Sequence, residues 1–280
     1  MLLPLKASVS ALQKLDADIS ALPELRCLIV DLRPAEEYDN GHIPGAVWLD
    51  SRRLNRSEKP MGGLLPGIGA VNAIAADLGL KADQHIVAYD AGGSTAAARL
   101  VWVLNAYGWD AISWLDGGFA AWLASGADQG HDSPAPIHGS DVSLSLSGDN
   151  VISTAELMQR LEQPNLSIID VRSHSEYEGS DVRSEFGGHM PRAVHYEWTD
   201  MLDKSLSLRH DKDIQQTLDN LGVSKDDDVV VYCQTHQRSA VTYVALKNLG
   251  YKNVIALDGA WSNWGNDAAT PKVQGSKPSS

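Results

Sequence analysis

The chain has 280 residues, 43% of them hydrophobic, with 8 tryptophans and a formal net charge of −13. That composition supports buried cores and excludes a disordered chain, and the acidity makes nucleic acid and anionic membrane surfaces poor partners. The start, "MLLPLKASVS", lacks an apolar core behind a basic segment, so no secretory signal is expected, and no apolar run approaches the roughly 20 residues of a membrane span.

In chain order, "CLIVDL" (27–32) reads as a first strand, followed by Arg33, a Glu-Tyr pair and the Gly41-His42 turn. "HIVAYD" (85–90) is a second strand, and "AAARLVWVLNAYG" is a helix with a glycine stop. The segment "GADQGHDSPAPIHGSDVSLSLSGDN" (126–150) is rich in Ser, Pro, Gly and Asp and reads as a linker. The pattern then repeats. "LSIIDV" and "DVVVYC" are strands and "SAVTYVALKNLGY" is a helix ended by glycine. The period is about 140 residues, too long for a solenoid unit and right for two domains.

Continuous apolar strands alternating with helices predict an α/β fold of two tandem domains, each a mostly parallel sheet with helices on both faces. The expected division is a first domain over 1–128, a linker over 129–147, a second domain over 148–268 and a disordered tail over 269–280.

The two copies differ where ligands collect, beyond the C-terminal end of a sheet strand. The first has Tyr89-Asp90 followed by "AGGST"; the second has Tyr232-Cys233 followed by "QTHQR". The second domain is therefore the candidate catalytic one, and in the first, Asp90 stands in place of the nucleophile. Gln234, Thr235, His236, Gln237 and Arg238 form a tight loop running into a helix near Arg238 or Ser239. Loop N–H groups and a helix N-terminus favour an anion, and the arginine adds to that, so the loop favours the nucleophilic thiolate. The alternative is that Cys233 is a buried core cysteine. The other cysteine, Cys27, leads into "LIVDL" with no loop around it and reads as inert. A disulfide between the two is open on paper, but a signal-free chain is expected in the reducing cytoplasm.

Asp31/Arg33 and Asp170/Arg172, the Glu-Tyr pairs, two Gly-His-x-Pro-x-Ala turns, the Tyr-Cys loop and two closing Asp-Gly-(Gly/Ala)-x-x-x-Trp segments resemble the tandem-domain rhodaneses, over residues 8 to 267. The loop looks most like a bacterial two-domain branch. It lacks the Arg and Lys that follow the cysteine in the well-known thiosulfate enzymes and the Cys-Gly-Ser-Gly pattern of the mercaptopyruvate sulfurtransferases. The resemblance implies a monomeric sulfurtransferase without a cofactor. A sulfane sulfur would pass from thiosulfate or a related donor to Cys233 as a persulfide. From there it would pass to cyanide or a thiol acceptor, such as a thioredoxin-like protein or a low-molecular-weight thiol. 3-Mercaptopyruvate is the alternative donor. The resemblance also assigns donor binding to an arginine near the second domain's insertion "GSDVRSEFGG", where Arg183 is the candidate beside Arg238; His236, read as an exposed loop residue, either donates to the anionic donor or has no role.

Asp170 and Arg172 recur in the first copy as Asp31 and Arg33, so they read as a structural ion pair. His42 and His189 also recur and read as turn residues, because no cluster with metal spacing accompanies them. Two rival classes remain. Cysteine phosphatases of the same general fold need one more residue between cysteine and arginine than "CQTHQR" provides, and a non-catalytic binding module would carry an ordinary thiol.

Overall fold

The computed structural model describes residues 3–14, 27–131 and 139–276. In its first half the elements run β1 (Lys6–Ala7), β2 (Cys27–Asp31), α1 (Ala35–Asp39), β3 (Val47–Trp48), β4 (Arg56–Glu58), β5 (Met61–Leu64), α2 (Ile68–Asp77), β6 (His85–Tyr89), α3 (Thr95–Ala106), β7 (Ile112–Leu115) and α4 (Gly118–Ala124). The second half continues with β8 (Val151–Ile152), α5 (Thr154–Arg160), β9 (Leu166–Asp170), α6 (His174–Glu178), β10 (Val194–His195), α7 (Asp211–Asn220), β11 (Asp228–Tyr232), α8 (Arg238–Asn248), β12 (Asn253–Leu257) and α9 (Ala260–Trp264).

Two units emerge. Unit 1 comprises the described residues of Met1–Leu54, Pro66–Ser147 and Asp203–Ser207; unit 2 comprises Asn55–Leu65, Gly148–Leu202 and the described residues of Leu208–Ser280. The expected contiguous division thus departs from the structure at two short segments. The β4–β5 hairpin, written in the first half of the sequence, is part of unit 2, and residues 203–207, written in the second half, are part of unit 1.

Unit 1 holds a five-stranded sheet in the order β1-β7-β6-β2-β3, and unit 2 a five-stranded sheet in the order β10-β9-β11-β12-β8. Every pairing in both is parallel. The apolar runs sit in the middle: β6 and β11 are the central strands, and Val229, Val230, Val231 and Tyr232 are all buried. Such strands have no polar face because both sides are covered. The helices that follow them are buried along most of their length, Ala97–Ala106 in α3 and Ser239–Leu246 in α8. Each stops at a glycine in the left-handed region, Gly108 at φ 78° and Gly250 at φ 84°, as the sequence predicts.

A duplicated buried ion pair fixes the ends of the sheets. Arg172 donates to both Asp170 oxygens, at 2.6 Å from Nη2, and to the Gly188 carbonyl, and its guanidinium lies 4.3 Å from the Trp261 ring. Arg33 does the same with Asp31, Gly41 and Phe119. These pairs have the structural role expected of them. His42 and His189 stack on Tyr38 and Tyr177 and bond those tyrosines' carbonyls through Nδ1, which gives each turn histidine a packing role.

Two expectations change. The linker is not a bare tether: Ser140 Oγ donates to Leu80, the Leu144 amide to Asn72 and the Ser147 amide to Ala106, so its described end belongs to unit 1. The tail is ordered as far as residue 276. Val273 pairs with His189, Trp264 Nε1 donates to the Pro271 carbonyl, and Thr270 is buried. The missed signal is that a short polar segment gains structure by satisfying backbone groups of a buried turn. Residues 277–280 lie outside the described residues.

Candidate active site

Strand β11 ends at Tyr232, in register with Asp170 on β9, and Cys233 is the first residue beyond it. The chain then turns through Gln234–Gln237 and enters α8 at Arg238, where the sequence places the helix start. The turn is anchored from beneath: the Trp261 amide donates to the Cys233 carbonyl and the Ser262 amide to that of Gln234, both at 2.9 Å. His236 takes a left-handed conformation at φ 55°, which folds the loop back over the helix N-terminus.

Cys233 is 1% exposed, as a core cysteine would be. Its surroundings are not those of a core cysteine, because the charge of the Arg238 guanidinium lies close enough to interact with it. The same guanidinium donates to both carboxylate oxygens of Glu176, at 2.6 and 2.9 Å. Burial opposes the charge on both partners and the ion pair outweighs it: the Arg238 pKa is raised and the Glu176 carboxyl is held at about 2. Glu176 is the third residue of α6 and closes a capping box with Ser173, so the helix terminus sets its position.

The remaining loop side chains are also engaged. Gln234 Nε2 donates to the Arg183 carbonyl and to Ser184 Oγ, tying the loop to the second copy's insertion. Gln237 Nε2 donates to Asn55 at 2.6 Å. His236 is fully buried, its Nδ1 lying 2.7 Å from Ser239 Oγ. This corrects the expected exposed histidine: its ring fastens the loop to the first turn of α8 and is not displayed to solvent. Arg183 does carry an exposed guanidinium, 2.7 Å from Asp181 and 3.7 Å from Glu176, so it stands beside Arg238's partner.

The β4–β5 hairpin covers the loop within unit 2. Ser262 Oγ accepts from the Gly62 amide and donates to the Gly62 carbonyl, and the Leu65 amide donates to Asp258. Gly63, at φ 69°, approaches so closely that a Cβ there would lie 2.0 Å from the Thr235 carbonyl oxygen. Sequence reading missed both this hairpin and Glu176. The Gly62-Gly63 pair after a polar run was the hairpin's signal, and an acid six residues beyond Asp170 was that of Glu176.

Unit 1 shows the same local construction with a different occupant. Asp90 follows β6, its carbonyl accepts from the Phe119 amide, and α3 begins at Thr95. Its buried carboxylate accepts from the amides of Gly92, Ser94, Ala96 and Ala97, at 2.9 to 3.3 Å. The first copy's loop is thus an anion cradle filled by its own side chain.

Comparison with known proteins agrees with this duplication. The Rhodanese-like domain family matches residues 11–125 and again 153–267. A thiosulfate sulfurtransferase of Azotobacter vinelandii is 40% identical over 257 residues, covering 92% of this chain and 93% of the relative. The 3-mercaptopyruvate sulfurtransferase of Escherichia coli strain K12 is 29% identical over 250 residues, covering 86% of both chains. A crystal structure of an Escherichia coli 3-mercaptopyruvate sulfotransferase superposes with a TM-score of 0.78 at 26% identity, covering 92% of this chain and 99% of that one.

Proposed function

Because this chain belongs to the rhodanese-like family, with two copies of its domain, we propose that it is a thiosulfate sulfurtransferase working through a persulfide on Cys233. The supporting observation is Cys233 itself, set between the end of the central strand and the N-terminus of α8, with the charge of the Arg238 guanidinium beside it. The Cys233 thiolate attacks the outer sulfur of thiosulfate. An S–S bond forms, the bond to the sulfonate sulfur breaks, and sulfite leaves with the electron pair. Sulfite is a stable anion, so no general acid is needed. The terminal sulfur now carries the negative charge, and the N–H groups of the loop and of the first turn of α8 stabilise it. Cyanide, or a thiolate, then attacks that sulfur and regenerates the Cys233 thiolate.

Asp90 supports this account of the loop: the equivalent turn in unit 1 aims four backbone amides at a buried carboxylate. Arg183 stands at the same rim and contributes to donor binding. A cytoplasmic, monomeric protein with a thioredoxin-like or low-molecular-weight thiol as its acceptor completes the proposal. Among the described residues no helix is long and apolar enough to cross a membrane.

The test contrasts the two cysteines. Cys233→Ser abolishes sulfur transfer from thiosulfate while the circular dichroism spectrum stays native. Cys27→Ser, at the start of β2, retains most activity. Comparable losses in both would point to a disulfide or a relay and would contradict the single-nucleophile account.

A further inference from the structure

The charge around Cys233 is smaller than the sequence suggests. Arg238 and Arg183 are the cations at the loop, but Glu176 bonds the first in two places and lies 3.7 Å from the second, which also pairs with Asp181. Two guanidinium groups thus meet two carboxylates. Glu176 is 1% exposed, and Arg238 holds its carboxyl ionised at any working pH.

The duplication shows that this burial is specific to the catalytic copy. Glu37 holds the matching place, six residues after Asp31 as Glu176 is six after Asp170. Thr95, at the start of α3, holds the place of Arg238 at the start of α8. Without an arginine opposite it, Glu37 is exposed. The matching helix of unit 1 follows Pro34 with no side-chain cap, whereas in unit 2 the acid both closes a capping box and turns inward to Arg238. Helix capping alone does not explain that: Glu176 accepts from the Ser173 amide at 3.1 Å, a bond available to an exposed side chain.

We propose that Glu176 determines the donor charge that the loop accepts: by cancelling the positive field of Arg238 and Arg183, it limits the preference for a dianionic sulfane donor over a monoanionic one. This rests on the reading of Cys233 as the sulfur-transferring nucleophile. Arg238 keeps its place beside Cys233, while a second negative charge on the donor gains little. Glu176 acts through Arg238 and is a positioning and specificity residue.

The experiment compares thiosulfate, a dianion, with methanethiosulfonate, a monoanion with the same kind of transferable sulfur, using the full chain and cyanide as acceptor. The quantity read is the ratio of the two kcat/KM values. A lost orientation of Arg238 would lower both and leave the ratio alone; a lost negative charge changes the ratio. Glu176→Gln retains the capping geometry and should raise the ratio about fivefold, the effect of one unit charge at close range in a partly solvated site. Glu176→Asp keeps the charge and should leave the ratio near that of the native chain even where the overall rate falls. Arg183→Gln, at an exposed position, should lower the ratio about twofold. An unchanged ratio in Glu176→Gln overturns the proposal. Should that variant not fold, an unchanged ratio in Arg183→Gln does so. A native chain that transfers sulfur from neither donor would instead overturn the reading of Cys233, and this inference with it.

Discussion

Asp90 and Cys233 occupy equivalent positions in the two units: each follows the last tyrosine of the central strand, and each accepts through its carbonyl the amide of an aromatic residue, Phe119 or Trp261. One position carries a carboxylate that four backbone amides reach, and the other a thiol. The first cradle is filled by its own side chain, and the second is left for sulfur.

Replacing Asp90 with Asn should therefore change turnover less than threefold, and a loss beyond tenfold in a folded variant would mean that unit 1 takes part in the chemistry. Stability should respond more strongly. Burial raises the Asp90 pKa to about 6, against the opposing bonds from Ala97, Ala96, Gly92 and Ser94. Its stabilising contribution is thus complete below the unfolded value near 3.8 and is lost as the pH rises through about 6. Burial lowers His85, on the strand that Asp90 follows, to about 4, so its contribution is present above 6.5 and is lost as the pH falls toward 4. The two oppose one another between these limits. In Asp90→Asn the opposing carboxyl is gone and the His85 contribution is exposed, so the unfolding free energy from urea titration should climb with pH from 4 to 6.5, by at most about 1.4 kcal/mol per pH unit. A free energy that falls over this range would contradict the assignment.

The hairpin over the loop gives a prediction between adjacent residues. At Gly63 a Cβ would strike the Thr235 carbonyl at 2.0 Å, whereas at Gly62 it would meet the Thr235 methyl at an ordinary 3.5 Å. Gly63→Ala should push the hairpin off the loop and reduce sulfur transfer more than tenfold. Gly62→Ala should retain most of it. Equal kinetics for the two would show that the hairpin has no bearing on the loop.

The buried pair Asp170–Arg172 should matter for folding. Asp170→Asn leaves the Arg172 guanidinium, 1% exposed, without its counter-charge, a loss of roughly 3–5 kcal/mol by the usual cost of stranding a buried ion. Arg52→Ala, which removes a pair whose arginine is 88% exposed, should leave the denaturation midpoint where it is. A small effect at Asp170 would place the stability of unit 2 elsewhere.

How much of this was legible in the sequence depended on what was local. The valine run, the glycine stop at Gly250 and the Cys233–Arg238 loop are written in consecutive residues, and the duplication exposed the exchange of Asp90 for Cys233. Glu176 was hidden because the Glu-Tyr pair occurs in both copies, and the burial of one acid depends on Arg238, 62 positions away. The burial of His236 depends on a left-handed backbone turn that a non-glycine residue does not announce. The hairpin was obscured because "RSE" and "MGGL" show no apolar alternation, and its place in unit 2 rests on bonds to Ser262 and Asp258, about 200 residues later.

The mass of the intact protein tests the central claim most directly. Incubated with thiosulfate alone, the native chain should gain the mass of one sulfur atom and release one equivalent of sulfite. Cyanide should then remove that sulfur as thiocyanate and restore the original mass, and Cys233→Ser should gain nothing. A native chain that takes up no sulfur from thiosulfate or any other sulfane donor, or a Cys233→Ser chain that still does, would contradict the account.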